Sequence, residues 1–372
     1  MRRFFEIIKN MDWLLFATVC ILVILGLVLI YSTTTTEEAR WSTEFIKQLV
    51  AFGIGVILIF VLAIVDYNTF KNYAYVLYAF LIILLIAVLF LGQEVRGTRG
   101  WFDLGIFQFQ PSELGKVILL IILSRYFASV SGRVSRFQFV LVSGLITAIP
   151  FTLVMFQPDL GSALVYIAIW IGLLLFSGIK KIYAFFLFVS GAALTVFAWL
   201  FFLKDYQKQR IISFLNPASD PLGAGYNIIQ SKIAVGSGGF FGQGLGHGTQ
   251  SQLRFLPERH TDFIFAVLTE ELGFLGGIIM LLVFFVIFWR IISIGRHSRD
   301  EFGIMLVIGA VVMFVFQIFV NIGMNLGIMP ITGIPLVLVS YGGSALVMTL
   351  IVIGIIQSIK VRGRKDQEHI VE

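Results

Sequence analysis

Ten apolar segments, each close to the roughly twenty residues that a bilayer core demands, constrain this chain more than anything else in it. They run over about 13–31, 46–65, 73–92, 111–127, 138–156, 161–176, 182–203, 263–289, 302–325 and 334–358. Hydrocarbon offers backbone N–H and C=O groups no partners, so continuous apolar runs of this length fold as helices. The expectation is an all-α membrane protein, a polytopic bundle of about ten transmembrane helices, with residues 1–372 forming a single integral membrane domain. One large polar excursion, residues 204–262, separates the seventh and eighth segments and reads as an extracytoplasmic loop. Composition supports this: 13% of residues are charged, against about 25% in soluble domains, and mean hydropathy is +0.96. The first run, Trp13 to Tyr31, is long enough to span and is expected to be retained. The single cysteine, Cys20, leaves neither a disulfide framework nor a cysteine metal cluster.

The net charge of +6 is a matter of topology. With the N-terminus cytoplasmic, the inner side receives sixteen of the 27 Lys and Arg residues, among them Arg2, Arg3, Lys71, Arg125, Arg133, Arg136, Lys180, Lys181, Arg290, Arg364 and Lys365. The outer side keeps eleven, including Arg40, Lys47, Arg96 and Arg99, and six of these lie in the long loop, to which the positive-inside rule gives little weight. Both termini are therefore expected on the cytoplasmic side of a membrane crossed many times. The basic surplus is no nucleic-acid patch. A P-loop is absent from the sequence, which argues against an ATP-driven pump.

In this topology the even-numbered segments begin at the outer face. Two of them open alike, "FQPSELGK" from Phe109 and "FQPDLGS" from Phe156. Proline is favoured at the first helical position, and carboxylates suit the first turn, so helix initiation accounts for Asp159 about as well as function does. Glu113 and Lys116 share one helical face at a depth where lone charges are costly, and are expected to pair towards the bundle interior. Gln317, Asn321 and Asn325 recur at i, i+4 and i+8 and make a polar stripe expected to join helices. "GIMPITGIPLVLVSYGGSA" breaks regular helix at Pro330, Gly333 and Pro335, which membrane depth tolerates where backbone is buried or lines a cavity. Within the loop, "YNIIQSKIAV" (226–235) suits a short interfacial helix, and "GSGGFFGQGLGHG" reads as tight turns with positive-φ glycines.

The densest set of ionisable groups is "RFLPERHTDFIFAVLTEELG", residues 254–273. Asp262 can cap the eighth helix, and Glu258, Arg259 and His260 can form a solvated rim. Glu270 and Glu271 lie about 12–14 Å deeper along a helix and need a partner, such as a basic residue elsewhere in the bundle. The picture is a polar basin at the outer face, walled by helix N-termini and by Arg96, Arg99, Lys116 and Arg259, suited to an anionic amphiphile.

These stretches, with "DPLGAGYNIIQSKIAVGSGG" and "PLVLVSYGGSA", resemble in sequence and order the shape, elongation, division and sporulation (SEDS) proteins, from the first helix to the tenth. "ERHTDFIF" and "GHGTQSQL" are more similar to the rod-shape branch than to the division branch. The resemblance implies a peptidoglycan glycosyltransferase that polymerises lipid II at the outer membrane face during cell elongation. It implies as partners a class B penicillin-binding protein, a transpeptidase, and other membrane proteins of the elongation machinery. It places the family's essential aspartate at Asp262 and its charged cavity residues at Glu113 and Lys116. The chain departs from the family at Val337, where relatives often carry proline. It departs also at Asn216, where many carry aspartate, which argues against a charge role there.

Joined, these readings make Asp262 the general base, with Glu113, Lys116, Arg99, Asp159, Glu258, Arg259 and His260 contacting substrate. Glu270, Glu271, Gln317 and Asn321 support the site. A divalent cation is possible; no dedicated metal motif is present. A lipid II flippase and a membrane scaffold without catalysis are the competing readings. The outer clustering of intramembrane charge disfavours the first, and Glu113, Lys116 and Glu270 are unexplained by the second.

Overall fold

Each apolar segment becomes a helix in the computed structural model, which describes residues 2–34, 41–95, 97–103, 105, 108–130, 137–201, 205–217 and 223–363. The expected basin residue Arg96 lies outside the described residues, as do Arg40, Arg133, Arg136, Lys204, Arg364 and Lys365. An amphipathic helix, α1 (Arg2–Asn10), leads into α2 (Trp13–Thr34), α3 (Thr43–Ile64) and α4 (Tyr67–Leu91). After a small sheet come α5 (Pro111–Ser129), α6 (Phe137–Phe156), α7 (Leu160–Phe176) and α8 (Lys181–Phe201). The polar excursion holds α9 (Asp205–Leu215), α10 (Ala224–Ser237) and α11 (Thr249–Gln252), and α12 (Ile264–Arg296), α13 (Glu301–Asn325) and α14 (Gly343–Gly363) complete the bundle.

Among the described residues, seven helices are long and apolar enough to cross a membrane: α2, α3, α4, α6, α12, α13 and α14. This is a multi-pass membrane protein. Helices α5, α7 and α8 follow the other three apolar segments, but α5 carries Glu113, Lys116 and Arg125, and α7 has only 17 residues. Helix α5 is the most enclosed of these, packed among α4, α7 and α13, while α14 lies along α3 and α12 lies along α2 and α13. One continuous apolar core runs through these helices. A second, small cluster of Ala234, Leu256, Phe263 and Ala266 fastens the polar excursion to the start of α12.

Four features depart from the expected outline. The fold is not purely helical: strands β1 (Gln93–Val95), β2 (Thr98–Asp103) and β3 (Gln108–Phe109) form an antiparallel sheet between α4 and α5. The tenth helix starts at Gly343 and not near 334, because Gly333 and Leu338 both adopt positive φ and Pro335 supplies no N–H. Helix α10 forms where a short interfacial helix was expected but also packs into the bundle, burying Ile228, Ser231 and Ala234 against α12 and α13 while Ile229 and Ile233 stay exposed.

The fourth is a break in α12 at Gly273, where φ is 70° and ψ is −170°. A broken helix at membrane depth must have its freed backbone groups satisfied elsewhere, and here the glycine-rich loop does so. Gln243 and Gly244 donate to the Glu270 and Glu271 carbonyls at 2.9 and 3.0 Å. Phe274 and Leu275 donate in turn to the Gly239 and Phe240 carbonyls at 2.9 and 3.1 Å. The approach needs glycine: Gly242 has φ 84°, and a Cβ there would stand 2.2 Å from the Glu271 carbonyl oxygen.

Candidate active site

The helices that begin at one end of the bundle enclose a cavity of about 510 Å³. Glu113 and Lys116 reach it from α5, Asp159 and Ser162 from α7, Thr261 and Asp262 from the turn before α12, and Gly342 and Ala345 from the start of α14. Thr332 to Pro335 and Tyr341 form the irregular wall between α13 and α14, and Thr98 and Trp101 of β2 close one side. Converging helix N-termini carry partial positive charge and favour an anion in the space between them.

The twin openings of α5 and α7 are bound to each other through Asp159. One of its oxygens accepts from the Ser162 amide at 2.9 Å and caps α7, while the other accepts from Gln110 Nε2 and Ser112 Oγ, both at 3.1 Å. The cap and the cavity wall are therefore one residue. Tyr166 Oη donates to the Ser112 carbonyl at 2.9 Å and adds a second tie between the two helices. Glu113 and Lys116 meet at 2.5 Å with both side chains almost fully buried, an internal ion pair facing the cavity. Glu113 also borders a smaller space of about 20 Å³ that Gln317 lines from α13.

Asp262 does not cap α12. Its neighbour Phe263 occupies the cap position and makes no side-chain cap bond. The chain reaches α12 through a tight turn instead, in which the Glu258 carbonyl accepts from the amides of Thr261, Asp262 and Phe263 at 3.1, 3.1 and 3.3 Å. Glu258 sits at φ 54° to build that turn, and its carboxylate accepts from Thr261 Oγ1 at 3.1 Å. The result turns a half-buried Asp262 towards the cavity, with Oδ2 3.8 Å from where a Cβ on Gly333 would stand.

The remaining residues of the charged stretch go elsewhere. Arg259 does not line the cavity; its guanidinium donates to the Ser251 carbonyl and, at 2.5 Å, to the Thr33 carbonyl at the end of α2. Burial, with Arg254 close by, holds that guanidinium below its ordinary pKa. His260 sets its ring edge-on to Tyr341, with centroids 5.5 Å apart; Tyr341 lines the cavity and His260 does not. Arg99 is exposed and turns back, its Nε donating to the Gly92 carbonyl at 3.1 Å.

Glu270 and Glu271 have loop amides as partners where a basic residue was expected. The Glu270 oxygens accept from the Gln250 and Ser251 amides at 2.7 and 3.0 Å, at the first turn of α11. Glu271 Oε1 accepts from Ser32 Oγ at 2.5 Å and the Gly246 amide at 3.2 Å. Both anchor the glycine-rich loop to α12 and neither lines the cavity.

Sequence reasoning missed Gln207 and Arg210, which reach the cavity from α9. Their signal was present: Gln207, Arg210 and Ser213 recur at i, i+3 and i+6, and Gln207 and Ser213 are buried. The cationic residues lining the cavity among those described are Lys116 and Arg210. Asp159 spends both oxygens and Glu113 its Oε1 on protein donors, and among the described residues no three His, Cys, Asp or Glu side chains are grouped to hold a metal ion. A divalent cation thus finds no ready cage of oxygen ligands here.

Residues 12–365 match the family of FtsW, RodA and SpoVE, described as cell cycle proteins. The peptidoglycan glycosyltransferase MrdB of Escherichia coli (strain K12) is 41% identical over 317 residues, 84% of each chain. The peptidoglycan glycosyltransferase RodA of Treponema pallidum (strain Nichols) is 34% identical over 429 residues, covering 95% of this chain and 98% of that one. A chain from a solved peptidoglycan synthase complex, described as coordinating polymerization and crosslinking, superimposes with a TM-score of 0.82 at 31% identity. That likeness spans 96% of this chain and 99% of the other.

Proposed function

This chain belongs to the FtsW, RodA and SpoVE family, and from that premise we propose that it is a peptidoglycan glycosyltransferase that polymerises lipid II during cell elongation. The observation that carries the reading is the cavity itself, where one outward-turned carboxylate, Asp262, faces a buried ion pair, an arginine and a ring of helix N-termini. A glycosyl transfer from a pyrophosphate-linked sugar needs those parts. One group must take a proton from the acceptor, and others must meet negative charge as the leaving group departs.

In the proposed reaction Asp262 removes the proton from an acceptor sugar hydroxyl. The hydroxyl oxygen forms a bond to the anomeric carbon of the donor as the bond from that carbon to the pyrophosphate oxygen breaks, with inversion. The electron pair of the breaking bond leaves with the lipid pyrophosphate. Arg210 and Lys116, with the N-termini of α5 and α7, are placed to stabilise that charge. Arg210 takes the part that the sequence assigned to Arg99 and Arg259, since both of those guanidinium groups are bonded outside the cavity.

The same reading sets the cavity at the outer face of the bacterial cytoplasmic membrane, with both termini inside and residues 204–262 outside. It takes a class B penicillin-binding protein as partner, in keeping with the complex of polymerization and crosslinking that the fold resembles. The direct test is formation of glycan strands from purified lipid II by the purified protein. Asp262→Asn is expected to abolish strands while leaving a folded, monodisperse protein, and full activity in that variant would sink the assignment.

A further inference from the structure

Three consecutive carbonyls at the site each accept a hydrogen bond from α13 or from the segment that joins it to α14. The Tyr341 amide donates to the His260 carbonyl at 2.8 Å, and Ser340 Oγ donates to that of Thr261 at 2.6 Å. The Asp262 carbonyl is shared by two side-chain amides of α13, Asn321 Nδ2 at 3.1 Å and Asn325 Nδ2 at 2.9 Å. Both asparagines are completely buried, and neither lines the cavity.

Their remaining bonds give these amides a direction. Asn321 Nδ2 donates also to the Ile334 carbonyl at 2.8 Å, so one NH2 group spans the turn carrying Asp262 and the wall facing it. Asn325 Oδ1 accepts from the Ala266 amide at 3.1 Å in the first turn of α12, and its Nδ2 donates to the Asn321 carbonyl at 2.8 Å. Simple association of α12 with α13 is met by their apolar contacts, and a buried amide in a membrane helix is costly unless its bonds are used. Here one bond from each asparagine meets at the Asp262 carbonyl.

We propose that Asn321 and Asn325 are positioning residues that set the height of the Asp262 carboxylate over the Gly333–Ile334 wall. They touch no reacting atom and act through the Asp262 backbone; the inference rests on Asp262 as the base. A displacement of about 1 Å at a reacting group can cost on the order of 10²-fold in rate, which is the scale such a device controls.

The test uses the full chain and purified lipid II, with kcat, KM and lipid II affinity read separately. Asn325→Leu and Asn321→Leu remove the donors. Asn325→Asp and Asn321→Asp keep the shape but set an acceptor against the Asp262 carbonyl, and serve where a leucine variant does not fold. The expected result is a fall in kcat of about 10- to 100-fold with KM and affinity within about two-fold of wild type. Gln357→Leu is the control for generic loss of a buried amide: Gln357 bonds the Asp12 amide and carbonyl at the far end of α14, at 2.8 and 2.9 Å. It should lower the melting temperature and leave kcat within about two-fold.

A kcat near wild type in the asparagine variants would overturn the inference, and so would a loss of rate matched by an equal loss of lipid II affinity. Asp262→Asn, run alongside, separates the two ideas. If it stays active, the base assignment has failed. If it is inactive while the asparagine variants run at full rate, the positioning role alone has failed.

Discussion

Asp262 and the pair Glu270–Glu271 stand within nine residues of one another at the start of the same helix, yet their surroundings are opposite. Asp262 is half-buried, its backbone is tied down, and its carboxylate borders the large cavity. Glu270 is wholly buried and its carboxylate accepts from two backbone amides. Glu271 is bound to Ser32 and Gly246. A carboxylate deep in a membrane protein is a functional candidate by default, but depth alone does not separate these three. What separates them is what the carboxylates border: Asp262 lines the large cavity, whereas Glu270 and Glu271 are turned to α11 and the glycine-rich loop. Glu270 and Glu271 hold the glycine-rich loop and α11 against the break in α12, and Asp262 stands at the wall of the cavity.

The sharpest way to break this contrast is Asp262→Asn, which keeps the shape and removes the base. Loss of a general base costs on the order of 10²–10⁴-fold in rate, so glycan polymerisation should fall by that much with thermal stability unchanged. Next is Arg210→Gln. A donor aimed at developing charge is worth about 10²-fold or more in kcat, and single-turnover polymerisation should show that loss with Asp262 intact. Glu270→Gln should behave in the opposite way. Its amide NH2 would face a backbone N–H, at a cost of about 1–3 kcal/mol, read as a lower melting temperature of the detergent-purified protein. Its rate per folded molecule should fall far less than that of Asp262→Asn. A variant at Glu270 that matched Asp262→Asn in rate loss without loss of stability would erase the distinction.

Much of the outline was legible in the sequence because lipid leaves the backbone so few options. The apolar runs lie in helices, seven of them among the described residues long and apolar enough to cross a membrane, and Pro111 and Asp159 mark the starts of α5 and α7 where the helix-initiation signals put them. The Glu113–Lys116 pair was legible too, since i, i+3 spacing puts both on one face. The destinations of the long cations were not. Arg259 reaches the Thr33 carbonyl, 226 positions away in the chain, and no local pattern encodes that contact. The partners of Glu270 and Glu271 were hidden for a related reason: backbone amides are present in every residue, so a loop that offers them carries no charge signature. Helix α9 escaped because its cavity face is polar and short, and the apolar pattern that reveals membrane helices is weak there.

The smallest expected effect belongs to Arg99, whose expected part falls to Arg210 in the proposed reaction. Arg99 was the sequence candidate for an anion at the outer face, and of these two guanidinium groups it is Arg210 that lines the cavity. The Arg99 guanidinium lies exposed on β2 and bonds the Gly92 carbonyl at the end of α4. That single contact with a backbone carbonyl at the surface is worth about 1 kcal/mol or less. Arg99→Gln should therefore leave kcat and KM within about two-fold of wild type, with a melting temperature barely moved. The informative measurement is the ratio of the two variants assayed side by side on lipid II, at two salt concentrations. A steering charge outside the cavity would affect KM alone, and its effect would fade as salt rises. A charge at the reacting centre would affect kcat at both salt levels. If Arg99→Gln lowered kcat as far as Arg210→Gln, the cavity as drawn would be missing one of its walls, and β2 would have to close over the substrate during the reaction.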